Sequence, residues 1–156
     1  QNIGHATTTL MAQNRGAGKA DRVRGSFFCG MKLETVYAFC ITAACFFGAE
    51  PIIRLFAADP EVVELGVRFL KTVSLFYLLP ALTNGIQGGF RGLGDLKITL
   101  NSSMLNMAGR VAGAAVFVLV LNMDIEALPY SYVVGWVLML LYETPVLVRH
   151  LKNGRL

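Results

Sequence analysis

Arg110 is a charged residue inside an apolar stretch of this 156-residue chain, between Ile98 and Met123. Asn106 precedes it by one helical turn. A charged side chain within a membrane-spanning helix is energetically costly and commonly marks a functional site. Two interpretations follow: Arg110 and Asn106 face a cavity, where the arginine steers a substrate or holds a carboxylate, or Arg110 forms a structural pair that fixes helix packing.

Thr83, Asn84 and Gln87 are polar residues in a second apolar stretch, from Thr72 to Phe90, that contains no charge. Asn84 and Gln87 are three positions apart, so they share one face of a helix. They are candidates for lining the same central cavity. The alternative is that they form hydrogen bonds between helices.

Other titratable residues are predicted to be structural. Glu143 is followed by Arg149 and Lys152, which favours an ion pair at the membrane surface over proton coupling. Glu34 and Lys32 are interpreted as boundary residues at the inner end of an apolar segment. Among the aromatic residues, Tyr130 and Tyr142 fit interface anchors, whereas Trp136 lies deep in its segment and is predicted to pack.

No enzymatic constellation is present in the sequence. His5 and His150 are at opposite ends of the chain, and no nucleophile or metalloprotease motif is found. The three cysteines have neither CxxC spacing nor a neighbouring histidine. This pattern predicts buried free thiols rather than a disulfide or zinc site at Cys29, Cys40 and Cys45. We therefore expect neither an enzyme nor a protein with a bound metal or cofactor.

Composition predicts an integral membrane protein. Hydrophobic residues make up 54% of the chain and charged residues 15%, with a mean hydropathy of +0.55. A membrane-spanning helix needs about 20 mostly apolar residues. A soluble helical bundle would show a continuous polar helix face, which the second and fourth apolar segments lack. The predicted spans are about 33–53, 72–90, 98–123 and 127–148, preceded at about 1–13 by the end of a fifth helix whose start lies outside the chain, since position 1 is Gln1 rather than methionine.

The charges predict how these spans are oriented. Ten of the 14 basic residues lie before the first span, between the second and third, or after the fourth. The two alternate loops carry most of the acidic residues. Basic loops remain in the cytoplasm, so we expect the C-terminus to be cytoplasmic. The net charge of +4 is accounted for by these loops, and no nucleic-acid partner is expected.

Two glycine-rich stretches separate predicted helices. The first, AQNRGAGKADRVR, superficially suggests a phosphate-binding loop, but the motif requires glycine where Gln13 stands and serine or threonine where Ala20 stands. The second, GGFRGLGDLK, does not follow a predicted strand, as a nucleotide-binding glycine loop would. Both are predicted to be tight helix-to-helix turns of closely packed hairpins.

The segment between the first two spans predicts a helix start. Asp59 is a suitable N-cap, and Pro60 suits the first helical position. The helix is expected to run from Pro60 to about Phe90, with Pro80 and three glycines (Gly85, Gly88, Gly89) as places to bend.

Three motifs, TTTLMAQNRGAGKADRVR, RLFAADPEVVELGVRFL and GGFRGLGDLK, resemble the multidrug and toxic compound extrusion (MATE) transporters in order and spacing. The resemblance covers the whole chain and implies helices nine to twelve of a twelve-helix, two-lobe fold. Arg15 and Ala112 depart from the family pattern. Some members carry an ion-binding aspartate in the tenth helix. The 72–90 segment has none, so the coupling site is expected outside this fragment.

The resemblance implies an all-α integral membrane protein and a secondary antiporter that exports organic, often cationic, compounds in exchange for protons or sodium ions. Its expected partners are small organic molecules, the lipid bilayer and the remaining helices, because the fragment is not expected to transport alone. A plasma or inner membrane location is expected. Two alternatives remain open: a flippase for lipid-linked precursors with the same fold, and a non-transport membrane scaffold or inactive remnant.

Overall fold

A computed structural model describes residues 2–154, and every regular element within that range is a helix. Gln1 and the C-terminal basic residue Arg155 lie outside the described residues. The all-α prediction is confirmed. The helices are α1 (Asn2–Gly16), α2 (Ala20–Phe47), α3 (Ala49–Arg54), α4 (Pro60–Leu75), α5 (Leu78–Gly92), α6 (Leu96–Leu119) and α7 (Ala127–Lys152).

The first glycine-rich stretch forms the predicted tight turn. Gly18 adopts a φ of 69°, a left-handed conformation that glycine accepts without a steric penalty. The backbone N–H of Lys19 donates to the carbonyl of Asn14 at 2.9 Å. α2 then begins at Ala20, thirteen residues before the apolar segment, so Arg22 and Arg24 lie within the helix. Basic residues are good helix formers, and nothing between Ala20 and Phe47 interrupts the helix.

Prolines divide two of the predicted spans. Pro51 would clash with the carbonyl of Phe47, four residues earlier, and α2 ends at Phe47 before the short helix α3. Pro80 has the same relation to Phe76, where α4 and α5 separate. The predicted continuous helix from Pro60 to Phe90 is therefore wrong. The Phe76 carbonyl accepts from Leu79 N at 3.0 Å, a tighter bond than the α-helical one.

Three helices, α2, α6 and α7, are long and apolar enough to cross a membrane. Small residues allow the helices to approach closely. Gly88 of α5 faces the backbone of Gly4 in α1, and Gly109 of α6 faces Gly135 of α7. Phe27 of α2 lies against Gly89 of α5, and Phe90 of α5 packs edge-on against His150 of α7; each phenylalanine is 1% exposed.

The two glycine-rich turns lie at the same end of the bundle, as predicted for packed hairpins. The guanidinium of Arg15, at the end of α1, donates to the carbonyl of Leu93 in the α5–α6 turn. Gly94, next in that turn, has a φ of 78°. Gly154, after α7, lines the same pocket as Gly18. The three segments that the charges assign to one side of the membrane therefore lie together.

Candidate functional site

A polar cavity of about 380 Å³ opens between α2, α5, α6 and α7, and all five candidate residues line it. The candidates are Thr83, Asn84, Gln87, Asn106 and Arg110. They come from two helices that are joined by a tight turn. The role of these residues in transport remains a prediction, but their common location is a structural finding. The other lining residues are Glu34, Tyr37, Tyr77, Pro80, Ala81, Trp136 and Met139.

Two of the three α5 candidates, Asn84 and Gln87, line the cavity and also form interhelical hydrogen bonds. Asn84 Nδ2 donates to Glu34 Oε1 of α2. Gln87 Nε2 donates to Ser102 Oγ of α6 at 2.9 Å. Thr83 instead bonds within its own helix, donating to the Pro80 carbonyl at 2.9 Å. The two interpretations of Asn84 and Gln87 are therefore compatible, because one amide can fix the helices and border the cavity.

Glu34, interpreted from the sequence as a boundary residue at the inner end of an apolar segment, lies near the middle of α2. It is 3% exposed and borders the cavity. The prediction was wrong because it placed the start of the helix near Leu33, whereas α2 extends back to Ala20. The unbroken run of helix-compatible residues before Leu33 was the available signal. The neighbouring Lys32 is exposed and supported the boundary interpretation.

Arg110 extends from α6 over the ring of Tyr132 in α7. Its guanidinium carbon lies 4.0 Å from the ring centroid, within the range of a cation–π contact. Within residues 2–154, no carboxylate is close enough to form an ion pair with it. Asn106 Nδ2, one turn earlier, contacts the sulfur of Met139 at 3.3 Å. Arg110 thus has an aromatic partner and also borders the cavity.

Glu143 is not part of a surface ion pair. It is 0% exposed, and its Oε1 accepts from Ser102 Oγ at 2.6 Å. The predicted partners Arg149 and Lys152 are six and nine positions away. Side chains share a helix face at spacings of three, four or seven, so these two lie around the helix from Glu143. His150, seven positions away, does lie on the buried face.

His150, which no sequence motif singled out, links two elements. Its Nε2 lies 2.8 Å from Asp95 Oδ2, in the α5–α6 turn, and its Nδ1 lies 2.9 Å from the Val146 carbonyl. Both neighbours are hydrogen-bond acceptors, so both bonds form together when both ring nitrogens carry protons. The contact ties the end of α7 to the turn that Arg15 also holds.

Among the aromatic residues of α7, Trp136 lines the cavity. Trp136, predicted to pack inside the bundle, is half-buried and borders the cavity. Tyr132 contacts its ring in a tilted arrangement at 6.0 Å between centroids. Tyr130 packs against Phe117 instead, at 6.3 Å. Tyr142 OH lies 3.4 Å from Asn101 Nδ2.

The thiols differ from expectation in their exposure. Cys29 and Cys40 are exposed on α2, and Cys45 is half-buried; all three are free. The prediction of buried thiols was wrong because an outward face of a membrane helix is also apolar, so an apolar sequence context does not imply burial in this chain. Within the described residues, no group of three or more potential metal ligands is found.

Comparison with known proteins agrees with this architecture. The sequence model of the MatE family matches residues 1–121. The chain is 30% identical over 93 residues to a probable multidrug resistance protein NorM of Thermotoga maritima, covering 60% of this chain and 20% of that protein. It is 26% identical over 104 residues to a probable multidrug resistance protein NorM of Bacillus subtilis, covering 67% of this chain and 23% of that protein.

A solved structure is also similar. It is described as the inward-facing conformation of a multidrug resistance MATE family transporter of the MOP superfamily. The TM-score is 0.86 at 18% identity, over 91% of this chain and 32% of that one, which supports the shared fold. The chain thus spans about a third or less of the proteins that it matches. With a family match over most of its length, this all-helical, multi-pass membrane chain belongs to the multidrug and toxic compound extrusion (MATE) family.

Proposed function

We propose that this chain is the C-terminal part of a secondary antiporter that exports organic, often cationic, compounds in exchange for protons or sodium ions. The observation that carries the proposal is the cavity, where polar and aromatic side chains from four helices meet in a fold shared with multidrug transporters. Midway along such a bundle, a cavity lined by polar side chains and a few aromatic rings suits an amphipathic organic molecule.

Residues 2–154 supply part of the cavity, and the remaining helices of the transporter supply the rest. In transporters of this type, two lobes rock around a central site and expose it to each side in turn. The fragment alone is not expected to transport. The coupling ion is expected to bind chiefly outside this fragment.

A flippase for lipid-linked precursors is the second candidate, and the charges lining the cavity disfavour it. A polyanionic headgroup requires several cationic side chains. Among the described lining residues there is one, Arg110, and it is accompanied by the carboxylate of Glu34. The proposed substrate class is therefore organic compounds that are not polyanionic.

We place the protein in the plasma or inner membrane with its C-terminus in the cytoplasm. Support comes from the basic residues near the two glycine-rich turns, because lysine and arginine are enriched on the cytoplasmic side of membrane proteins. Large apolar side chains are exposed on α2 and α6, including Val36, Phe39, Met104 and Val111. Such surfaces are suited to lipid or to the other helices of the transporter.

The proposal is tested by expressing the full-length gene in a bacterium that lacks its own efflux pumps and following the efflux of a fluorescent cationic dye. We expect efflux that stops when the coupling gradient is collapsed. Proton and sodium gradients are removed separately to identify the ion. Efflux that is insensitive to both gradients, or no efflux from a well-expressed protein, would refute the antiporter proposal.

A further inference from the structure

Glu34 is a buried carboxylate whose charge has no cationic partner in the described part of the chain. Its Oε1 accepts from Asn84 Nδ2, a neutral donor. Within residues 2–154, no lysine, arginine or histidine nitrogen comes within 4 Å of its oxygens. A buried carboxylate without a counter-charge is costly. A cationic ligand in the cavity would reduce this cost.

The helices are packed so that this carboxylate reaches the cavity. Gly85 of α5 lies against α2, and a Cβ atom built there would be 3.6 Å from Cγ of Glu34 and closer still to Met31. Gly4 of α1 similarly leaves room for the Asn84 side chain, whose atoms lie 3.0–3.2 Å from a Cβ built at that position. Glycines on two helices, Gly4 and Gly85, therefore leave the space that the Glu34 and Asn84 side chains occupy at the cavity.

Aromatic residues line the same cavity as the carboxylate. Tyr37 lies one turn beyond Glu34 on α2, and Tyr77 begins the α5 side; both line the cavity with Trp136. A carboxylate together with aromatic rings suits a bulky organic cation, whose charge is attracted both to the carboxylate and to the ring faces. The other charged residue lining the cavity, Arg110, is directed over the Tyr132 ring.

We infer that Glu34, oriented by Asn84, is the residue that selects organic cations in this cavity. The inference rests on the proposed efflux function, since it names the group that recognises the charge of the substrate. It assigns Glu34 to substrate charge recognition rather than to ion coupling, so its removal affects substrates according to their charge.

Binding to the purified full-length protein in detergent tests the inference without requiring transport. The probes are tetraphenylphosphonium and tetraphenylborate, which have nearly the same shape and opposite charge. Neither probe titrates, so charge is the variable. We expect Glu34→Gln to weaken tetraphenylphosphonium binding by about 10- to 100-fold, the range for losing a charged contact, and not to weaken tetraphenylborate binding. Glu34→Asp should retain most of the preference for the cation.

Glu50→Gln is the matched control, because it removes the same charge from an exposed ion pair with Arg54, outside the cavity. It should leave binding of both probes unchanged. Thermal unfolding of each variant establishes that it is folded. Equal weakening of both probes by Glu34→Gln, unchanged binding of both, or a wild-type protein that binds neither would overturn the inference. Failure of dye efflux with intact, charge-selective probe binding would instead refute the antiporter proposal alone.

Discussion

Ser102 donates a 2.6 Å hydrogen bond to Glu143, and both residues are 0% exposed between α6 and α7. Ser102 also accepts from Gln87 of α5 at 2.9 Å. Three helices therefore meet at one hydroxyl group. Because Gln87 also lines the cavity, this bonded chain connects the cavity wall with a carboxylate deeper in the bundle.

The Ser102 hydroxyl is predicted to stabilise the bundle. Ser102→Ala removes a donor from a buried carboxylate and an acceptor from a buried amide. We expect it to lower the free energy of unfolding by about 1–3 kcal/mol, the cost of leaving buried polar groups unsatisfied. Thermal unfolding of the full-length protein in detergent measures this. Ser103→Ala is the control, since Ser103 is exposed and receives only a 3.4 Å contact from Gln87. Equal stability of the two variants would contradict the prediction.

Sequence reasoning identified polar residues that interrupt apolar segments, and their role in transport stays a prediction. Arg110 stands out inside an apolar segment and Gln87 inside a segment without charges, and both line the cavity. It failed for Glu34 and Glu143, which have basic residues nearby in the sequence. For Glu143 the nearby bases suggested a local ion pair, and for Glu34 the adjacent Lys32 suggested a boundary position. Both carboxylates instead bond to other helices. The partner of such a carboxylate depends on where its helix begins and on which face of the helix it lies. The apolar pattern of a membrane helix specifies both of these poorly.

The break between α4 and α5 shows the same limit in the backbone. Pro80 was recognised as a place to bend, but the discontinuity lies one turn earlier, at Phe76 and Tyr77. A proline disturbs the carbonyl four residues before it. The position of the break, one turn before Pro80, therefore follows from this rule. Whether the helix kinks or separates into two depends on tertiary packing, which the sequence does not display.

Close packing of α6 on α7 is predicted to require Gly135. A Cβ atom built there would lie 2.5 Å from Cγ of Arg110 and 2.9 Å from the backbone oxygen of Asn106. We expect Gly135→Ala to lower the free energy of unfolding by about 1–3 kcal/mol, because overpacking forces the helices apart. The control is Gly25→Ala in α2, where nothing lies within 4 Å of the new Cβ. There the higher helix propensity of alanine should raise stability by about 0.5–1 kcal/mol. A Gly135→Ala protein that is as stable as Gly25→Ala would refute this account.

The N-cap of α4 is predicted to depend on Asp59. Its carboxylate accepts from Glu61 N at 2.9 Å and from Val62 N at 3.4 Å. Asp59→Ala should lower stability by about 1 kcal/mol, as loss of an N-cap does. Asp59→Asn retains an acceptor oxygen and should cost little. Hydrogen exchange of the first-turn amides of α4 checks the effect locally: exchange should accelerate in Asp59→Ala and stay near wild type in Asp59→Asn. Unchanged exchange in both variants would show that the cap is not needed.

Arg110 is predicted to support transport through its position over Tyr132. Arg110→Ala removes the cation–π contact and the only cationic side chain among the described residues of the cavity wall. We expect at least one of two results in the full-length protein: lower membrane abundance if packing dominates, or lower efflux at normal abundance if the charge serves substrates. Two substitutions of Tyr132 separate these roles. Tyr132→Phe keeps the aromatic face and should preserve membrane abundance, whereas Tyr132→Leu removes the aromatic face. Normal abundance together with normal efflux in Arg110→Ala would exclude both the structural and the functional role, since each requires the guanidinium.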